Sequence, residues 1–288
     1  PPLRREAGPA VCPEGRDGGR GPVKKRLLVS DMDHTLLDED SQLSPANLEA
    51  IRRHVARGGL FTVATGRAPA AIRVFPELLP CINLPVVTGN GGQVVDLVGG
   101  DRILRRWVLP KEVCPIMKEA IARFPGMGAV AYYGLDGFCS FRVTPYVDGL
   151  IAKEKRPALP TTVDTSPMPW NKTLMTQDHE ALLEVKAWLD PQLPGLGRTV
   201  FSEETYLEIL PLGVSKGAAL SVILEMEGID PQEVVAVGDA PNDKEMLELA
   251  GIGAAVANAA PELKAAADVE VCSNDEGAVR DCLERWFL

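Results

Sequence analysis

The chain has 288 residues, enough for one to two domains with a sizeable core. Its apolar share of 45% argues against disorder, and a formal net charge of −10 argues against broad electrostatic binding to nucleic acid or anionic membrane. No uninterrupted apolar segment approaches ~20 residues, so no membrane-spanning helix is expected.

Residues 1–24 are rich in Pro, Gly and Arg without an apolar period, and read as a disordered leader or cloning remnant. A transit-peptide remnant is the alternative, which Glu6, Glu14 and Asp17 count against. The apolar run from Leu27 to Ser30 then predicts a buried strand ending in Asp31-Met32-Asp33-His34-Thr35. Side chains at i and i+2 of an extended segment share a direction, which would aim Asp31 and Asp33 into one volume. Two close carboxylates repel unless a cation or proton lies between them. A parallel sheet also places its ligand crevice at the carboxyl ends of its strands. A divalent metal with hard oxygen ligands suits that place, and an aspartate beside it can attack phosphorus.

Ser44-Pro45, an N-cap followed by an N1 proline, opens a helix running to about Arg57, where Gly58-Gly59 ends it. A second strand over 60–64 delivers Thr65-Gly66-Arg67, and a second helix is predicted from about Pro69 to Leu78. A third strand from Pro85 to Thr88 runs into the turn Gly89-Asn90-Gly91-Gly92. Strand, helix and strand in alternation predict a parallel sheet with crossovers.

From 93 to 210 the pattern changes. Short alternating runs (94–98, 103–108, 128–133, 138–143) predict an antiparallel sheet, with helices near 111–124 and 179–189. This block reads as an inserted α+β cap with hinges near 89–92 and 210–213, closing over a core made of 25–92 and 211–288. Tyr132 and Tyr133 either stack on a substrate ring or fill the cap sheet. The core resumes at Gly213-Val214-Ser215-Lys216-Gly217, a base at a helix start, where free N–H groups and the macrodipole attract anions. A strand over 234–237 then ends in Gly238-Asp239, followed by a turn with Asn242 and Asp243. Gly238 permits a sharp turn, and Asp239 falls where a third metal oxygen would be wanted. His54 and His179 read as surface residues of helices. The six cysteines form no C-x-x-C pair, and read as small core residues in a reducing compartment.

Asp31 to Thr35, Thr65, Lys216 and Gly238 to Asp243, in this order, resemble the four motifs of the haloacid dehalogenase superfamily of phosphatases. A cap between the second and third motifs is similar to the Cof-type branch. The resemblance runs from about Lys25 to the C-terminus and implies a doubly wound α/β parallel-sheet core with an inserted α+β cap. It implies a Mg²⁺-dependent phosphomonoester hydrolase, with Asp31 as nucleophile and Asp33 as general acid and then base. Thr65 and Lys216 would hold the transferring phosphoryl group. Mg²⁺ would be held by the Asp31 carboxylate, the Asp33 carbonyl and Asp239, with Asp243 bracing the metal shell or the lysine. Substrate contacts are expected from Met32, Gly66, Arg67, Asn90 and Asn242. A surface ion pair for Arg67 and a turn role for Asn90 stay open. His34 stands where the branch usually has Gly, and either shapes the loop or adds a titrating group.

Phosphoryl transfer is catalysed mainly by positioning and by stabilising charge on the equatorial oxygens. A carboxylate nucleophile divides hydrolysis into two steps. The double role of Asp33 asks for a pKa raised toward neutrality. The expected substrate is a small phosphorylated metabolite, first of all a sugar phosphate, in the cytoplasm, or in an organelle if residues 1–24 belong to a transit peptide. The alternatives are a phosphomutase or phosphotransferase of the same fold, and a non-catalytic regulator, against which the presence of Asp31, Asp33, Lys216 and Asp239 counts.

Overall fold

The described residues of this computed structural model are 25–288, and the expected leader lies outside them. The first apolar run forms β1 (Leu27–Ser30), buried at every position. Helix α1 (Pro45–Ala56) begins where the Ser44 hydroxyl accepts the Asn47 N–H at 3.1 Å, and Gly58, at φ +83, follows its end. The buried face of α1 is Asn47, Ala50, Ile51 and His54, a helical i, i+3, i+4, i+7 stripe. His54 is therefore not the surface residue expected: its ring bonds the Leu60 carbonyl at 3.0 Å and meets Phe287 edge-on.

β2 (Leu60–Val63) pairs parallel with β1. Helix α2 covers only Pro69–Ile72 and not the stretch to Leu78. Pro76 disfavours helical backbone at Phe75 and brings no N–H of its own, so the helix cannot be carried through it. β3 (Val86–Thr88) continues the sheet through a parallel bridge from Val87 to Ala64. β4 (Gln93–Asp96) and β5 (Arg102–Arg106) then fold back antiparallel beside it. Val94 and Val95 join the apolar core of β1 and β2, so this pair belongs with the core although the inserted block was expected from residue 93. Alternation marks a strand and its faces, but carries no information about its partner.

Chain order continues with α3 (Val113–Arg123), β6 (Gly128–Tyr133), β7 (Gly137–Arg142), α4 (Pro145–Glu154), β8 (Leu159–Pro160), β9 (Trp170–Thr176), α5 (His179–Leu189), β10 (Arg198–Glu203) and β11 (Tyr206–Leu210). These strands make a six-stranded sheet ordered β10-β11-β9-β6-β7-β8, antiparallel except for the β7–β8 pair. Met117 of α3 and Leu182 of α5 pack with Trp170 and Ile209 in one apolar cluster, while Val147 and Leu150 of α4 pack with Val130, Tyr132 and Leu174 in another. Two separate clusters mean that the cap sheet is covered on both faces. The chain then returns through α6 (Lys216–Glu227), β12 (Val234–Gly238), α7 (Lys244–Leu249), β13 (Ile252–Val256), α8 (Pro261–Ala266), β14 (Val269–Val271) and α9 (Ala278–Trp286).

The main sheet is parallel and ordered β14-β13-β12-β1-β2. The chain leaves β1 on one side toward β2 and later fills the other side with β12, so the order reverses between β1 and β12. Such a switch point opens a crevice at the carboxyl ends of its strands, where Asp31 and Asp239 stand. The result is a doubly wound α/β core with an inserted α+β cap.

Gly91 positions the returning helix. It sits at φ +98, and a Cβ there would lie 2.2 Å from the carbonyl oxygen of Ser215, the N-cap of α6. Gly91→Ala is expected to cost about 2–4 kcal/mol from backbone strain and the clash together. A urea midpoint equal to that of the unmodified protein would contradict this packing of α6.

Candidate active site

The Asp31 N–H still joins the strand ladder, donating to Val237 O at 3.0 Å, after which residues 32–36 coil into a turn. That turn separates the two aspartates. Both line one cleft, but they take different partners because Asp33 is not on a strand. The Asp33 carboxylate accepts two bonds from Arg67, Nε to Oδ2 at 2.9 Å and Nη2 to Oδ1 at 2.7 Å. Lys153, from α4 of the cap, adds its ammonium at 3.2 Å. Burial opposes ionisation of Asp33, but these two cations prevail and hold its pKa below the usual carboxylate range. The upward shift expected for Asp33 is therefore reversed in this geometry. Arg67 is buried, which removes the surface-pair alternative.

Two further expectations change in the turn. The Met32 side chain is fully buried in the apolar core, which leaves only its backbone for a substrate contact. His34 lies at φ +55, a left-handed conformation that glycine adopts freely and other residues at a cost on the order of 1–2 kcal/mol. Asn258 Nδ2 donates to the His34 carbonyl at 2.8 Å and helps hold it there.

Lys216 is the first residue of α6, after Ser215 accepts the Ala218 N–H at 3.0 Å. Its ammonium is fully buried, 2.8 Å from Asp31 Oδ1 and 2.6 Å from Asp243 Oδ1. Burial alone would lower the lysine pKa, and the two carboxylates raise it instead, so Lys216 stays charged. The other Asp243 oxygen accepts the Asp239 and Ala240 N–H groups at 3.0 and 3.1 Å. Both oxygens are thus occupied in bracing the lysine and the turn after β12. Asp239 in turn accepts the Thr35 hydroxyl at 2.8 Å.

Carboxylate oxygens of Asp31, Asp239 and Asp243 lie within 4.8 Å of one another and could hold a metal ion. The charge balance supports that. Burial, then the Asp243 charge, pushes Asp31 up to about 7 despite Lys216. Burial and the Asp31 charge push Asp239 well above its usual range. Three carboxylates against one ammonium leave surplus negative charge that a hard divalent cation such as Mg²⁺ would neutralise. The Asp33 carboxylate lies with Arg67, which leaves the Asp33 backbone carbonyl, the group expected to hold the metal, for that role.

Thr65 lies just past the end of β2, and its hydroxyl accepts the Arg67 N–H at 3.1 Å, leaving the hydroxyl proton to be donated. Asn90 serves both readings left open for it. It takes a left-handed turn conformation at φ +56, and it links core to cap. Asn242 Nδ2 donates to Asn90 Oδ1 at 2.9 Å, and Asn90 Nδ2 donates to Glu208 Oε2 at 2.8 Å. Glu208 also accepts Lys172 at 2.7 Å, and Lys172 donates to the Gly66 carbonyl at 3.0 Å.

Apart from Tyr132, sequence reasoning missed the cap side of this cleft: Lys153, Glu154, Lys172, Glu203 and Glu208. A signal was there for two of them. Lys172 interrupts β9, which is buried at all seven positions, and Glu208 stands among apolar residues of β11. A charged residue inside a strand buried throughout needs a partner. Tyr132 is buried with its hydroxyl on Glu154 at 2.9 Å, so it both fills the cap sheet and lines the cleft.

A family model described as haloacid dehalogenase-like hydrolase matches residues 28–283. The chain belongs to this family. It is a Cof-type haloacid dehalogenase phosphatase. The chain is 31% identical over 246 residues to the HMP-PP phosphatase of Escherichia coli O157:H7, covering 83% of this chain and 87% of that protein. It is 30% identical over 283 residues to the chloroplastic endoribonuclease YBEY of Arabidopsis thaliana, covering 91% of this chain. The chain spans only 47% of that plant protein. A crystal structure of a haloacid dehalogenase-like hydrolase from Bacteroides thetaiotaomicron superposes with a TM-score of 0.81 at 30% identity, covering 92% of this chain and all of that one.

Proposed function

We propose that this phosphatase hydrolyses a small phosphomonoester, a sugar phosphate first of all, through a covalent intermediate on Asp31. The observation that carries the reading is the buried Lys216 ammonium between Asp31 and Asp243, with a second carboxylate, Asp33, on the same cleft but on separate partners. In the first step Asp31 attacks phosphorus, the ester P–O bond breaks, and Asp33 gives a proton to the leaving oxygen. In the second, Asp33 takes a proton from water, the water oxygen attacks phosphorus, and the bond to Asp31 breaks. Lys216 orients Asp31 and carries charge onto the equatorial oxygens, with Thr65, Asn242 and the Met32 backbone as further donors. Gly66 leaves room beside them. Held by Asp31, Asp239 and the Asp33 carbonyl, Mg²⁺ would neutralise charge on the phosphoryl oxygens.

Proton donation by Asp33 requires that its cations loosen. One of them, Lys153, stands on the cap, so cap movement is coupled to the state of Asp33. The cap wall lines the cleft with hydroxyls, carboxylates and ammonium groups paired to carboxylates, which suits a polar, hydroxyl-bearing leaving group. A phosphomutase or phosphotransferase outcome differs only in whether a second hydroxyl replaces water, and a non-catalytic regulator is disfavoured by the complete proton and phosphoryl machinery.

Phosphate release from a panel of sugar, nucleotide and glycolytic monoesters, with HMP-PP included, tests this. Mg²⁺ should support turnover, and EDTA should reduce it by at least ~10²-fold, reversibly. No release from any ester by folded, Mg²⁺-supplied protein would sink the hydrolase reading. The cytoplasm remains the proposed location, and the chloroplastic relative makes a plastid the alternative to test by imaging the full-length protein. No helix among the described residues is long and apolar enough to cross a membrane.

A further inference from the structure

The cations of the cleft are already taken. Arg67 is doubly bonded to Asp33, Lys216 lies between Asp31 and Asp243, and Lys172 is held by Glu208 with both side chains only 2% exposed. Lys153 bridges two carboxylates, Asp33 of the core and Glu203 of β10. Among the described residues, then, no cation lining the cleft lacks a carboxylate partner. Glu154, the remaining acid of the cap wall, accepts the Tyr132 hydroxyl and pairs with Arg156. Since Asp33 exchanges a proton with the leaving oxygen, the leaving group must lie beside Asp33 and hence beside the Lys153–Glu203 pair.

We infer that this cap wall selects an uncharged or cationic, hydroxyl-bearing leaving group and rejects a second phosphate or carboxylate, with the Lys153–Glu203 pair as the specificity determinant. The inference rests on the hydrolase reading and adds a substrate class to it. A second anion entering here would lose its water without finding a free cation, and would face Glu203 at close range. Desolvated charge without a partner and juxtaposed like charges each disfavour binding. Specificity would then come from repulsion as well as fit. Glu203 is central because it neutralises Lys153, the cap cation that, among the described residues, reaches the acid–base carboxylate.

The test compares glucose 6-phosphate with glucose 1,6-bisphosphate on the Mg²⁺-supplied protein. The ratio of kcat/KM should favour the monophosphate by at least ~30-fold, as a penalty of several kcal/mol for like charges allows. Glu203→Gln keeps the shape, frees part of the Lys153 charge, and should narrow the ratio about tenfold. Lys153→Gln leaves Glu203 unopposed and should widen it. The opposite signs separate a charge effect from a loss of fold. The affinity ratio of the same two esters is read by calorimetry on Asp31→Asn with Mg²⁺, so selectivity is measured without turnover. Turnover with a ratio near one, or a preference for the bisphosphate, would overturn this inference and leave the hydrolase standing. An intact affinity ratio with no turnover of these two esters or of any other ester in the panel would overturn the hydrolase reading alone. Selectivity in the unmodified protein that neither variant moves would overturn the assignment to Lys153 and Glu203.

Discussion

Asp31→Asn is expected to abolish phosphate release and, in EDTA at pH 8, to make the protein more stable. Loss of the nucleophile should reduce turnover by at least ~10⁴-fold, since single removal of a covalent catalyst can cost more than that. The stability gain follows from linkage. Burial and neighbouring acids raise the folded-state pKa of Asp31 from 3.8 to about 7. A raised pKa means the folded protein holds this proton more tightly than the unfolded chain does. The stabilisation is fully present below the unfolded value, near pH 4, and is lost as pH rises through about 7. By pH 8 the ionised Asp31 weighs against the fold by something on the order of 2–4 kcal/mol. Asparagine keeps an oxygen for Lys216 and removes the charge. Its melting temperature should therefore exceed that of the unmodified protein by roughly 5–10 °C at pH 8, and by much less at pH 5. Mg²⁺ should also shrink the difference, because it neutralises the same carboxylate. Equal melting temperatures at pH 8 in EDTA would mean that Asp31 bears no electrostatic strain.

Much of the core half of the site was legible because its residues stand where strands end and helices begin. Asp31, Thr65, Lys216 and Asp239 each follow or open an element whose apolar pattern is clear, and a parallel sheet gathers such ends on one side. The two aspartates of the first turn show the limit of that reasoning. Their i, i+2 spacing suggested a shared direction, but the strand stops at Ser30 and Asp33 turns to Arg67. Its downward pKa shift, set against burial by Arg67 and then Lys153, could not be foreseen, because neither partner is its neighbour in sequence and Lys153 arrives from the cap. The cap wall was less legible still. Strand periodicity assigns a face to Lys172 and Glu208 but not the partner across the sheet, and only pairing of β9 with β11 brings them together. The same lack of partner information placed β4 and β5 in the inserted block. Where a single residue decides, as Pro76 does for α2, local chemistry was there to be read in the sequence.

Lys216→Met should have the opposite effect on stability from Asp31→Asn while also removing activity. The ammonium is fully buried and sits 2.8 Å from Asp31 and 2.6 Å from Asp243, the two acids it keeps apart electrostatically. Methionine matches its length but leaves Asp31, Asp239 and Asp243, whose oxygens converge within 4.8 Å, without a cation. Breaking a buried ion pair by removing one partner costs about 3–5 kcal/mol, because the remaining charge stays desolvated. That cost should be largest at pH 8 and smaller at pH 5, where Asp31 and Asp239, both already displaced upward, take up protons. Mg²⁺ should raise the melting temperature of Lys216→Met more than that of the unmodified protein, since it then replaces the opposing charge that Lys216 gave. Turnover should still fall by about 10²–10³-fold even with the metal present, as when one donor to a developing oxyanion is removed. The two substitutions are in contact and should not add. Asp31→Asn should rescue more stability in the Lys216→Met background than in the unmodified protein, by about 1–3 kcal/mol in a double-mutant cycle. A Lys216→Met protein as stable as its parent at pH 8 would mean that the three aspartates carry no surplus charge. The electrostatic case for a divalent ion among them would then fall with it.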